Sequence, residues 1–390
     1  MKFKIPCKKE PGWRYYNQSD YWYDIKTGYL QHAMFTVEPT AEEKRAAWLV
    51  TVAEYHHAML TTTGGEPQSR RMALKDPSWD EPVNGWRVRE QEEVDSLFDM
   101  GVLEWVPIKE VPNSTKLVGN KMVYKDKCDM PGVPGRRKVR MVCKGFMEHP
   151  GEYGCVWAPV TRHETCRMFF CRAAREHLKM RSIDVCSAFL TAPLQRPVYM
   201  KAPEGHEREG YVCRVRQACY GLCDAPRAFY TDFRQFLKTR KIEPTDQDPC
   251  LYKSSNPSYP SVWILQYVDD LQIQGTDADI SAFVADLQSK YKIRDYGEPR
   301  SFIGMEIART EHTITLTQSE YIRQMAARFG LLDSNYVSTP MDSSSLLSAQ
   351  DDADTKPDAT LYRSMVGSLM YAQCLSMPGL SFPVMSLSRY

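Results

Sequence analysis

The sequence predicts an α+β chain built around antiparallel strand pairs, on three observations. Two apolar runs fold about a polar tip in SVWILQYVDDLQIQG (261–275), the pattern of a β-hairpin. KLVGNKMVYK (116–125) and RRKVRMVCKGF (136–146) form a second pair around the turn-rich CDMPGVPGR. Apolar stripes at helical spacing lie before, between and after these pairs.

Taken in order, residues 1–70 read separately from the rest. They carry an aromatic cluster (Trp13, Tyr15, Tyr16, Tyr21, Trp22, Tyr23), which could stack on bases or form a small core of its own. AEEKRAAWLVTVAEYHHAML (41–60) has the length of a helix, and TTTGGEPQS (61–69) reads as a linker. His56 and His57 are adjacent and so a poor metal pair on a helix. No function attaches to this segment. GWRVREQEEVDSLFDMG predicts a helix ending at Gly101, followed by a strand with Val102, Leu103 and Trp105. After the basic hairpin, 161–180 reads as a helix with Met168, Cys171, Ala174 and Leu178 on one face. A strand with Ile183 carries Asp184 at its end. Strands around YMKAP and YVCRV precede a helix from Pro226 to Lys238, with Phe229, Phe233, Phe236 and Leu237 inward. Beyond the 261–275 hairpin come a helix (277–291), a short β pair (IGMEIA, TITLTQ) and a second helix, SEYIRQMAARFG. Ser338 to Thr360 reads as a polar loop, and the remainder as Met- and Leu-rich helix.

At 390 residues, with 43% hydrophobic and 25% charged side chains, the chain has room for two or three subdomains, each with a core. No apolar run approaches the roughly 18–20 residues of a membrane helix, and the basic N-terminus lacks the apolar segment of a signal peptide. Twelve cysteines without Cys-x-x-Cys spacing indicate neither a zinc ribbon nor a disulfide framework; buried thiols in an intracellular protein are expected. The net charge of +1 hides a local excess. Between Thr115 and Met147 nine basic residues face two acidic ones, either a solvated hairpin face or a surface for nucleic acid.

The chemistry lies in carboxylates. SIDVCSAF places Asp184 at the end of an apolar strand, and QYVDDLQI places Asp269 and Asp270 at a hairpin tip. Adjacent carboxylates on a tight hairpin repel unless a cation sits between them. Mg²⁺ suits that role, as a hard ion that prefers carboxylate oxygens and leaves positions for phosphates. A pair of such ions serves nucleotidyl transfer. The arrangement requires the Asp184 strand to pack beside the hairpin.

From about Ala73 onward the chain resembles the reverse transcriptase region of copia-type LTR retrotransposon polyproteins. ALKDPSWDEP with the glutamates before SLFDMGVLEWV, KVRMVCKGF, VWAPVTRHETCRMFF, SIDVCSAFLTAPL with VYMKAPEG, ACYGLCDAPRAFY, QYVDDLQI, RDYGEPRSFIGMEI, LTQSEYIRQMAARFG, VSTP and YRSMVGSLMY match that family's blocks in order. The resemblance implies a right-hand polymerase fold: fingers over 71–170, palm over 171–275, thumb over 276–340, then a loop and C-terminal helical segment (341–390) ending before any ribonuclease H. It implies RNA-directed DNA synthesis on an RNA or DNA primer–template with dNTPs and two Mg²⁺ ions, Mn²⁺ being a possible substitute. Asp184, Asp269 and Asp270 would hold the metals, with the Val185 carbonyl assisting. Lys138 and Arg140 are both candidates to hold the triphosphate. Phe189 sits where the family places an aromatic against the sugar 2′ position, although its spacing suits a core residue equally. Tyr220 and Gly221 would lie under the nucleotide, and Phe302, Ile303 and Gly304 resemble the primer grip. The implied setting is intracellular, in a cytoplasmic virus-like particle or the nucleus, without a membrane.

Two departures stand out. Cys223 and Asp224 occupy positions where relatives usually carry Lys and Gln, so Asp224 sets a negative charge near the nucleic-acid track. SMPGLSF replaces a more usual Arg-Pro-Asp block. They keep a rival reading open, a catalytically silent remnant that only clamps nucleic acid. A metal-dependent phosphodiesterase using the same carboxylates is a third.

Overall fold

The computed structural model describes residues 66–113, 115–127, 136–148, 151, 153–311, 313–335, 337–341 and 358–389, with three short strands nearer the N-terminus. Those strands, β1 (Trp13–Tyr16), β2 (Tyr21–Asp24) and β3 (Leu30–His32), pair antiparallel in sequence order. The helix expected over 41–60, the turn at 128–135 and most of the polar loop after Ser338 lie outside the described residues.

The architecture is α+β, as expected. Its centre is a six-stranded antiparallel sheet in the order β10 (Ile242–Pro244), β11 (Leu251–Ser254), β12 (Trp263–Tyr267), β13 (Asp270–Gly275), β7 (Lys179–Val185), β14 (Ile293–Gly297). Strand β7, far earlier in the chain, is inserted between β13 and β14. Because strand side chains alternate, neighbours in sequence serve opposite faces: Ile264 joins one core cluster and Leu265 the other, as do Tyr252 and Leu251.

One face is covered by two helices. Helix α4 (Ala225–Thr239) buries Phe229, Phe233, Phe236 and Leu237, the stripe expected from the sequence. Helix α5 (Asp277–Gln288) buries Ile280, Phe283 and Leu287, and begins directly after β13 because the Thr276 side chain caps the Asp279 N–H. Since β14 is a sheet strand, the central sheet continues beyond residue 275, where a boundary between palm and thumb was expected.

The other face is covered by α3 (His163–Arg175), and here the expected stripe is corrected. Cys166, Phe169, Phe170 and Ala173 are buried, while Met168 is 51% exposed and Cys171 is exposed. Both stripes are apolar, and the aromatic one carries more surface to bury, so it faces the sheet.

Smaller pieces surround this centre. Helix α1 (Arg70–Ala73) and helix α2 (Trp86–Asp99) precede β4 (Leu103–Pro107), which joins β9 (Tyr211–Gln217) and β8 (Pro193–Met200) in a three-stranded sheet. β5 (Asn120–Lys127) and β6 (Arg136–Cys143) form the expected two-stranded hairpin, with α2 packed on β6. β15 (Ser301–Phe302), β16 (Met305–Arg309) and β17 (Ile314–Thr317) form a sheet near α6 (Ser319–Arg328), α7 (Ala359–Leu375) and α8 (Ser381–Leu387). No helix among the described residues is long and apolar enough to cross a membrane.

Candidate active site

The carboxylates converge. Asp184 on β7 pairs directly with Asp270 on β13, and the Val185 N–H donates to the Asp269 carbonyl at 3.0 Å. A two-residue turn, Val268–Asp269, joins β12 to β13, with Tyr267 opposite Asp270. Val268 has φ +55°, a conformation that costs a residue with a side chain roughly 1–2 kcal/mol. That cost is borne at the tip that presents Asp269, and strain of this kind collects at functional sites. Ser187, three residues after Asp184, also adopts a left-handed conformation at φ +53°.

Like charges set the electrostatics. Burial raises the Asp269 carboxyl, Asp184 repels it further, and Arg140 and Lys138 pull it partly back. Although its side chain reaches solvent, Asp270 is pushed up to about 6 by the protein around it and by Asp269 and Asp184. On the other side of β7, Arg294 of β14 stands opposite Asp184 in the strand ladder. Three carboxylates this close are suited to a hard divalent cation, whose charge would offset their repulsion. As the side chains stand, no three His, Cys, Asp or Glu groups among the described residues already converge on one point. The backbone brings the three carboxylates to neighbouring positions, on paired strands and the turn beside them.

The expected nucleotide residues stand beside this tip. Lys138, Arg140 and Val142 share one face of β6, since the intervening Val139 and Met141 are buried in the core. The Arg140 guanidinium lies 5.4 Å from the centroid of the Tyr220 ring. Tyr220 meets Phe189 edge-on at 5.6 Å, and Phe189 meets Phe229 at 6.4 Å. Phe189 is thus half-buried, packed against the core on one side and against the Tyr220 platform on the other. Burial pushes the Tyr220 hydroxyl up to about 12, with Arg140 opposing that shift.

Gly221 is explained by its neighbours. It has φ +87°, and a Cβ there would run into the Cys143 carbonyl oxygen. The glycine lets the loop before α4 lie against β6, where Cys143 donates to the Tyr220 carbonyl at 2.7 Å and Gly145 to the Gly221 carbonyl at 3.1 Å. The close approach it permits is to protein backbone. Gly221→Ala combines backbone strain with a steric clash and is expected to destabilise the chain by roughly 2–4 kcal/mol, read as a lowered urea midpoint.

The structure gives Asp224 a partner. Arg196 on β8 holds it at 2.8 and 2.9 Å, and also binds Glu148 at 2.6 Å. Burial alone would lower the pKa of Arg196, but Asp224 and Glu148 hold it raised. Asp224 is thus paired inside the protein, in a cluster of one guanidinium and two carboxylates that keeps a formal charge of −1. The Glu148 side chain is fully buried, and its other oxygen accepts from the Cys223 N–H at 3.2 Å.

The three residues expected at the primer end form the β15–β16 turn. Phe302 is buried, Ile303 and Gly304 have positive φ, and Phe302 meets Tyr267 of the aspartate hairpin at 6.4 Å between ring centroids. Tyr371 of α7 donates to the Ile303 carbonyl at 2.8 Å and leaves no room for a Cβ at residue 304.

Sequence reasoning missed three participants. Glu93 of α2 accepts from the Met141 N–H at 3.1 Å, Arg196 pairs with Asp224, and Arg294 flanks Asp184. Glu93 lies among the glutamates before SLFDMGVLEWV that mark the opening block, without a role attached, and Arg294 is a basic residue in the segment after α5.

Comparison with known proteins adds the following. A family model described as reverse transcriptase (RNA-dependent DNA polymerase) matches residues 104–343. The retrovirus-related Pol polyprotein from transposon RE2 of Arabidopsis thaliana is 32% identical over 343 residues, 86% of this chain and 23% of that protein. The corresponding polyprotein from transposon TNT 1-94 of Nicotiana tabacum is 31% identical over 344 residues, 85% of this chain and 25% of that protein. The chain thus spans about a quarter of the length of these relatives. A solved foamy viral protease-reverse transcriptase in complex with double-stranded DNA is 14% identical, with a TM-score of 0.38, covering 78% of this chain and 43% of that one.

Proposed function

Because the chain belongs to the reverse transcriptase (RNA-dependent DNA polymerase) family, in the branch carried by copia-type retrotransposon polyproteins, we propose that it adds deoxynucleotides to a primer 3′-hydroxyl on an RNA or DNA template. The single observation that carries this reading is the pairing of Asp184 with Asp270 across adjacent strands, with Asp269 at the adjoining tip. Asp184, Asp269 and Asp270, assisted by the Val185 carbonyl, would hold two Mg²⁺ ions, or Mn²⁺ in their place. Bound there, the ions supply Lewis-acid activation of the 3′-hydroxyl and charge for the departing pyrophosphate.

The chain's own groups do the rest. Lys138 and Arg140 attract the triphosphate, Arg being suited to paired contacts with phosphate oxygens. Tyr220 and the Gly221 loop form the floor under the nucleotide, and the Phe189 ring borders it. The edge of that ring, held by Tyr220 and Phe229, limits the space beside the sugar 2′ position, which disfavours ribonucleotides by clash. Phe302, Ile303 and Gly304 hold the primer end toward the aspartates. In this reading the β5–β6 hairpin belongs to the fingers, the six-stranded sheet is the palm, and the β15–β17 sheet with α6 lies on the thumb side.

The test is extension of oligo(dT) on poly(rA) with dTTP. Extension that requires template and divalent cation is the expected result. Tight binding of the hybrid with no extension would show a clamp, and cleavage of the template without dTTP a phosphodiesterase. In the same assay Phe189→Ala is expected to raise incorporation of UTP relative to dTTP by about tenfold or more.

A further inference from the structure

Strand β6 carries Lys138 and Arg140 on one face, one strand repeat apart, roughly 7 Å. Two cations so placed repel each other, and their counter-charges come from other elements. Asp269 at the hairpin tip draws on both, and so does Glu93 from α2 at the free edge of the strand. Glu93 is half-buried, and its Oε1 accepts from the outward N–H of Met141, a donor that β5 leaves unused at the edge of this two-stranded sheet. The Arg140 Nε is buried and donates to no acceptor. The guanidinium is placed by the Tyr220 ring and by charge.

We infer that Glu93 is a positioning residue for nucleotide binding: it ties down the β6 backbone at Met141 and counters the charge of Lys138 and Arg140, so that the guanidinium stays on the Tyr220 ring where an incoming triphosphate meets it. The inference rests on the polymerase reading above. Arg140 is shared electrostatically by two carboxylates, Asp269 and Glu93. Once cations engage Asp269, Glu93 is the carboxylate left to hold it on the fingers side. Burial leaves the Glu93 carboxyl raised above its ordinary value, and the Met141 N–H, Arg140 and Lys138 offset part of that rise. Cations arranged before the substrate arrives bind it without an ordering cost.

The experiment measures the dissociation constant of dTTP on the full chain with a poly(rA)/oligo(dT) primer–template and Mg²⁺, alongside single-nucleotide extension and thermal melting. Glu93→Gln keeps the shape and the acceptor for Met141 but removes the charge, whereas Glu93→Asp keeps the charge. Glu93→Gln is expected to weaken dTTP binding by about fivefold or more, with Glu93→Asp within about twofold of the original. The extension rate at saturating dTTP should change less than the dissociation constant, and the melting temperatures should stay level, which a merely structural role would not produce. Unchanged or tighter binding in Glu93→Gln overturns the inference, as does an Asp variant as weak as the Gln variant. Failure of the unaltered chain to extend any primer overturns the polymerase reading, and this inference with it. A Glu93→Gln enzyme that extends normally and binds dTTP normally overturns this inference alone.

Discussion

Asp269→Asn is expected to abolish most primer extension, by about 10³-fold or more, while leaving the fold intact. Asparagine keeps the shape of the side chain at the hairpin tip but cannot carry the charge that a divalent cation needs. Loss of several kcal/mol of transition-state stabilisation corresponds to a fall of that size. The fold should survive because Asp269 is crowded by like charge: burial and Asp184 both raise its carboxyl. Asp270, pushed up to about 6 by the surrounding protein and by the same neighbours, shares the repulsion. A carboxyl raised in the folded chain costs stability when it ionises. The contribution of Asp270 to the stability of the cation-free protein should therefore grow as pH falls from about 6 toward its ordinary 3.8. Asp269→Asn should reduce that gain by removing one of the repelling charges. Melting curves without divalent cation, run beside single-nucleotide extension, check both halves. A variant that extends at the original rate would remove Asp269 from the mechanism.

Arg196→Met is expected to destabilise the chain by about 3–5 kcal/mol. Arg196 is the cation between Asp224 and the fully buried Glu148. Methionine fills similar space but leaves two carboxylates without their partner, and unpaired buried charge costs more than a well-made pair contributes. A shift of about 4–6 °C in melting temperature follows from the usual scaling for a chain of 390 residues. Adding Asp224→Asn and Glu148→Gln to Arg196→Met should recover much of the loss, because the stranded charges are then gone. If Arg196→Met melted like the original chain, the cluster would hold nothing together. Extension by the triple variant has a further use: it shows how far the loop carrying Tyr220 and Gly221 depends on this cluster for its place against β6.

Much of the fold was legible because its signals are local. The 261–275 hairpin declared itself by two apolar runs about a polar tip, and α4 by a stripe of Phe229, Phe233, Phe236 and Leu237. Helix α3 was legible as a helix but not in its orientation. Both of its stripes are apolar, and the choice between Met168 with Cys171 and Phe169 with Phe170 is made by the sheet it meets. The pairing of Asp224 was hidden for a related reason, since its partner Arg196 lies 28 residues earlier in sequence.

The sequence by itself determined which side chains carry charge at the site and the local period of the elements that bear them. Asp184, Asp269, Asp270, Lys138 and Arg140 could all be named from it. Only the tertiary structure decided which of them meet. Strand β7 sits between β13 and β14, and Glu93 reaches β6 from a separate helix. Such pairings are set by burial and backbone hydrogen bonding summed over the whole chain, and no short window of sequence contains that sum.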